Sequence, residues 1–189
     1  MRFCLLMIAI CGQLAGAVFH HVPQELRGAV EAVEALPEAQ ELLRQVEREG
    51  RVRLRSGRLE AFNAMWESGG RTITVNNRWK RTEGSLIVSI VFELCNAARN
   101  QDFRKLWRQA AWNEISKEAF VRAVERIEFE SLGRAAVILS AGRQQGLFPR
   151  DARQWAPSSF ETYLRAQKAA GHSAFIARNY KRVQGTARA

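Results

Sequence analysis

Four polar residues in an apolar run are the first that could do chemistry. Ser89, Glu93, Asn96 and Asn100 lie 4, 3 and 4 residues apart in the stretch EGSLIVSIVFELCNAARN, Glu83 to Asn100. At roughly 100° per residue this spacing gathers all four into one narrow stripe of a helix. The remaining faces are apolar, from Leu86 and Ile87 to Leu94 and Cys95. A helix apolar nearly all round is buried, so its stripe faces a cleft or an internal polar network. Two further carboxylates sit on a long downstream helix. Glu128 falls near the middle of the apolar stripe Val121, Val124, Leu132, Ala135 and Leu139, and Glu125 on its edge. A carboxylate on an apolar face needs a partner or a raised pKa. Paired across a cleft, such groups do general acid–base work, glycosidic hydrolysis included. The plainer alternative is a satisfied core. Asn96 and Ser89 would then hydrogen-bond Glu93, Arg122, Arg126 or Arg134 would pair with Glu128, and an arginine would span Glu93 and Glu128.

The elements that position these residues follow from periodicity. Leu26, Ala29, Val30, Val33 and Leu36 recur at helical spacing between Pro23 and Leu36. Pro37 opens a second helix that ends before Gly50. From Arg51 the period becomes two. Val52 and Leu54 alternate with arginines, Leu59 to Trp66 and Arg71 to Asn76 are further strand candidates, and glycine turns separate them. This predicts a small antiparallel sheet of two or three strands, with the arginines on its wet face. After the buried helix, Gln101 to Asn113 continues helically, and its Trp107 and Trp112 read as core. Ser116 caps a helix to about Gln144, and Ser158 or Ser159 caps another that ends near Gly171. His172 then opens the last segment and reads as a cap or a packed polar residue. The fold class is α+β, mainly helical, with a small antiparallel sheet before a buried central helix.

The chain has 189 residues, 47% hydrophobic and 25% charged, which suits one globular domain with a sizeable core and excludes a disordered one. Its formal charge of +10 admits a polyanion-binding module as one reading. The arginines are spread along the chain and often stand three or four residues from a glutamate, as on a solvated helix face. At the N-terminus Arg2, the apolar run Phe3 to Cys11 and the Ala15-Gly16-Ala17 site have the pattern of a cleaved secretory signal. The expected layout is therefore a signal peptide over 1–17 and one domain over 18–189, frayed from about 184. The protein is expected to be exported, periplasmic or extracellular, with no membrane span after signal removal. Cleavage would remove Cys4 and Cys11 and leave Cys95 alone, so no disulfide framework is expected.

The order of parts resembles the zincin metallopeptidase fold: a small sheet, a strand RTITVN, a buried helix with an inward glutamate, then a long helix with another. In active zincins the first helix carries HExxH, whose histidines bind zinc while the glutamate polarises the metal-bound water. Here Phe92-Glu93-Leu94-Cys95-Asn96 occupies that register over a resemblance spanning about Arg51 to Ser140. Glu93 matches; Phe92 and Asn96 replace the histidines, and Glu128, or else Glu125, corresponds to the downstream ligand. Phe has no lone pair to give, and an amide oxygen is a hard donor poorly suited to zinc. The resemblance therefore implies an exported scaffold that has lost zinc-dependent peptidase activity and has a binding or structural role. No cofactor is expected, with zinc the first to test, and the partner is another protein or an anionic polymer. The alternative is a hydrolase using Glu93 as general base with Glu128 or Glu125.

Overall fold

The computed structural model describes residues 18–186, so the signal-peptide pattern and the last residues of the tail lie outside the described residues. A 3-10 turn, Gln24–Leu26, leads into α1 (Arg27–Ala35), and α2 (Pro37–Arg48) starts on Pro37. There the missing N–H of proline costs nothing, because the first turn has no acceptor for it. Gly50, at φ +111°, turns the chain out of α2 into a region that side chains disfavour.

Three strands follow, β1 (Arg53–Gly57), β2 (Ala64–Glu67) and β3 (Thr72–Asn76), in the order β1-β3-β2. β2 and β3 form an antiparallel hairpin, but β1 runs parallel to β3, so the sheet is mixed. This corrects the antiparallel expectation. Alternation identifies strands and their faces but not their partners. The second strand is also shorter than the pattern Leu59 to Trp66 suggests, because the buried Asn76 straps the preceding loop. Its Nδ2 donates to the carbonyls of Leu59 and Phe62, at 2.8 and 2.7 Å, and its Oδ1 accepts from the backbone N–H of Leu59. The loop thus crosses the end of β3 and places β1 on the far edge. Leu54, Ile73 and Val75 point into the core, and Arg51, Arg53 and Arg55 face solvent as expected.

The mainly helical remainder comprises α3 (Glu83–Ala97), α4 (Asn100–Ala111), α5 (Lys117–Gln144), α6 (Phe160–Ala169) and α7 (His172–Thr186). Thr82, Ser116 and Ser159 cap α3, α5 and α6 with side-chain oxygens that accept an orphan N–H of the first turn. α3 packs against the sheet, α1, α2 and α5. Ile87, Ile90, Val91 and Leu94 are fully buried on it, each contributing about 1.5–3 kcal/mol of transfer free energy. Cys95 is buried beside them, and burial pushes its thiol up to about 12. A second core joins α4, α5 and α7 through Phe103, Phe120, Ile176 and Tyr180, with Trp107 edge-on to Phe120. Trp112 is 72% exposed and is not core. Among the described residues no helix is long and apolar enough to cross a membrane.

The start of α3 is held against the loop before α6 by the smallness of Gly84. A Cβ there would lie 2.5 Å from Asp151 Oδ1 and 2.7 Å from the backbone nitrogen of Ala152. Gly84→Ala is therefore expected to lower the thermal midpoint by several degrees. Overpacking costs about 1–3 kcal/mol and outweighs the gain of about 1 kcal/mol in helix propensity. A melt followed by circular dichroism checks this; an unchanged or raised midpoint would show that the contact can open freely.

Candidate functional site

α3 and α5 deliver their carboxylates to one cleft of about 1050 Å³, with β2 along one side and α6 and α7 closing the other. Its walls are largely aromatic, with Phe62, Trp66, Phe92, Trp107, Trp155 and Phe175 contributing. Apolar walls with a few converging polar groups are the usual make-up of a ligand site.

Glu93 is only 5% exposed. Asn96, one turn along the same helix, donates from Nδ2 to Glu93 Oε2 at 3.1 Å. The backbone N–H of Trp66 on β2 is a second donor to this carboxylate. Burial nevertheless dominates and, with a smaller contribution from the Glu128 charge, raises the Glu93 carboxyl to about 7. Glu128 behaves similarly: desolvation first, and then the neighbouring Glu125, carry its carboxyl up to about 7 despite the opposing charge of His172.

The opposite wall is built from three helices. Glu125 is fully buried, and its Oε1 accepts from Ser173 Oγ at 2.6 Å. The Nδ1 of His172, the first residue of α7, lies 3.2 Å from Glu125 Oε1 and 3.6 Å from Glu128 Oε2. Tyr163 on α6 donates its hydroxyl to Glu128 Oε2 at 3.2 Å. Burial pulls the His172 imidazole down, but its hydrogen bond to Glu125 and the charges of Glu128, Glu125 and Glu93 outweigh that and leave it raised. Burial and the adjacent carboxylates push the Tyr163 phenol up, so it remains a donor.

The polar stripe of α3 is thus split by function. Glu93 and Asn96 meet as expected, but Ser89 does not reach Glu93. Its Oγ accepts from Arg81 Nη2 at 2.7 Å, while the same guanidinium binds the carbonyls of Asn63 and Ser85. Asn100 begins α4 and serves another network, donating to Glu49 Oε2 at 2.8 Å and accepting from Ser68. On α5 the two glutamates exchange places relative to the expectation. Glu125 is the buried one and Glu128 opens on the cleft, because α7 covers the Glu125 side of the helix. The arginines expected to pair with Glu128 are engaged elsewhere. Arg122 pairs with Glu161, Arg126 lies over the Phe160 ring, and Arg134 donates to Gln45. The charge set among the carboxylates is His172, which its neighbours in sequence do not reveal, since its partners lie 47 and 44 residues earlier. Ser173 and Tyr163 likewise meet glutamates 48 and 35 residues earlier, which local pattern does not express.

No family model, curated protein or solved structure matches the chain, and the site is interpreted from its own geometry.

The raised carboxyl of Glu93 makes stability depend on pH with a definite sign. Its folded pKa of about 7 exceeds the unfolded value near 4.5, so the folded state holds the extra proton between these values. The contribution is complete below about pH 4.5 and is lost as pH rises through 7. The groups facing it are Asn96, the Trp66 N–H, Glu128 and His172. Glu93→Gln keeps an acceptor for Asn96 and removes the ionisation. Its melting midpoint is expected to match the parent near pH 5 and to exceed it at pH 8, where the stability difference reaches up to about 3 kcal/mol. Equal midpoints at both values would show that Glu93 is fully compensated when charged.

Proposed function

We propose that this protein is an exported, zincin-like scaffold that lacks HExxH zinc chemistry and uses its cleft to bind a segment of another protein. Support for the scaffold comes from the order of parts: a strand hairpin, then α3 carrying Glu93, then α5 carrying Glu128, with both carboxylates on one cleft. The single observation that carries the loss of peptidase chemistry is the bond from Asn96 to Glu93. The residue standing in the second histidine position spends its donor on the carboxylate that would act as base. Phe92, in the first position, packs against the hydrophobic core. Glu93 is thereby held by its own helix and by β2. The aromatic walls suit side chains of a bound segment, and β2 is an edge strand that pairs on one side only.

A second reading is favoured by a different observation. The carboxyls of Glu93 and Glu128 both sit near neutrality, where a group can take or give a proton at little cost. A hydrolase using Glu93 as base would exploit this.

One experiment separates the two. A pool of fluorogenic extended peptides is incubated with the protein, with and without added divalent metal, while emission from Trp66, Trp107 and Trp155 reports binding. Saturable change in emission without turnover, equal in parent and Glu93→Gln, is expected. Turnover that disappears in Glu93→Gln would replace the binding reading with the hydrolase, and no saturable change at millimolar peptide would remove the binding reading.

A further inference from the structure

We infer that Glu125, Glu128 and His172 form a divalent metal site at the floor of the cleft, held by α5 and α7 and not by the HExxH register of α3. One oxygen of each carboxylate and a ring nitrogen of His172 all lie within 4.8 Å of one another. Donors around a first-row ion at about 2.0–2.2 Å stand roughly 3–3.5 Å apart. The His172 Nδ1 separations of 3.2 and 3.6 Å already fall close to that range.

A second, independent observation points to a missing partner. Glu125 is fully buried, yet its Oε2 accepts no hydrogen bond. Ser173 and His172 both address Oε1. A bare carboxylate oxygen in the interior costs about 1–3 kcal/mol or more, because its water shell is not replaced. A proton on His172 cannot repair this, since Nδ1 carries one hydrogen and is already nearest Oε1.

The surroundings are those of a ligand set held in place. Ser173 fixes Glu125 and Tyr163 fixes Glu128, and hydrogen bonds of this kind orient metal-binding carboxylates. Glu128 and His172 line the cleft, so an ion bound there is reached from solvent and keeps open positions toward it. One imidazole with two carboxylates suits zinc, manganese, iron(II) or cobalt, and the nitrogen disfavours magnesium and calcium. This inference goes beyond the binding reading above and does not depend on it.

The test is titration of the purified, chelator-treated protein with Zn²⁺ and Mn²⁺ by calorimetry and with Co²⁺ by visible absorption, alongside thermal melts. One equivalent bound at micromolar or tighter affinity is expected, with a Co²⁺ band and a melting midpoint raised by several degrees. Glu128→Gln and His172→Ala should each weaken binding by about 100-fold, and Tyr163→Phe by about 10-fold. A variant with His20→Ala and His21→Ala should bind as the parent does, which excludes the N-terminal histidine pair. Should His172→Ala fold poorly, Glu128→Gln, whose residue is partly exposed, carries the test. Failure of a folded parent to bind any of the three ions at millimolar concentration would overturn the site, as would affinity unchanged in Glu128→Gln. Neither result bears on the peptide-binding measurement, which is made on parent and Glu93→Gln with and without metal.

Discussion

The arrangement turns on three carboxylates taken out of water around one imidazole. Glu93 and Glu125 are buried, and Glu128 is largely so. Their mutual repulsion in a poorly polarisable interior has to be met by protons, by hydrogen bonds or by a cation. Each helix of the cleft contributes to meeting it. α3 returns an amide from Asn96, β2 a backbone N–H, α6 the Tyr163 hydroxyl, and the first turn of α7 both Ser173 and His172. Among the described residues no arginine pairs with these carboxylates, although Arg71 and Arg104 line the cleft. Of the four arginines on α5, Arg122 binds Glu161, Arg126 lies over the Phe160 ring, Arg134 donates to Gln45 and Arg143 to the Ala152 carbonyl, all outside the cleft. A protein of net charge +10 thus keeps a cleft whose interior is acidic.

The elements of this cleft were legible because they depend on local pattern. α3 is apolar on three sides, and the 4-3-4 spacing places Glu93 and Asn96 together whatever surrounds them. The caps at Ser116 and Ser159 follow from one hydroxyl reaching an N–H three residues on, as does that at Thr82, which the pattern before α3 did not single out. What was hidden depends on tertiary partners. Ser89 has the right angle on the helix, yet Arg81 is nearer and charged, so the hydroxyl goes there. Glu125 and Glu128 lie only about 60° apart on one face of α5, and the placement of α7 decides which is covered. The parallel pairing of β1 with β3 likewise follows from Asn76 gripping a loop, a long-range bond that alternation cannot express.

Asn96 shows how one amide fixes a buried carboxylate. It turns an N–H to Glu93 and leaves its own Oδ1 buried without a donor. The carboxylate gains a fixed orientation and loses freedom to meet a water molecule. The carboxylate of α3 is thus held by its own helix and β2, and the pair on α5 by α6 and α7.

The distribution of unmet hydrogen bonds carries this further. Buried side-chain atoms without partners are rare in folded proteins, since each costs the desolvation of that group. Among the described residues they belong to Trp66, Arg71, Asn96, Glu125, Ser131 and Gln154. Trp66, Arg71, Asn96 and Gln154 line the cleft, and Glu125 lies behind it against His172 and Ser173; Ser131 lies apart. A domain stabilised only by packing would scatter such defects or fill them with apolar atoms. Five of the six thus lie in or beside the cleft. Foldability and use ask for different residues, and departures from local consistency gather where the two compete.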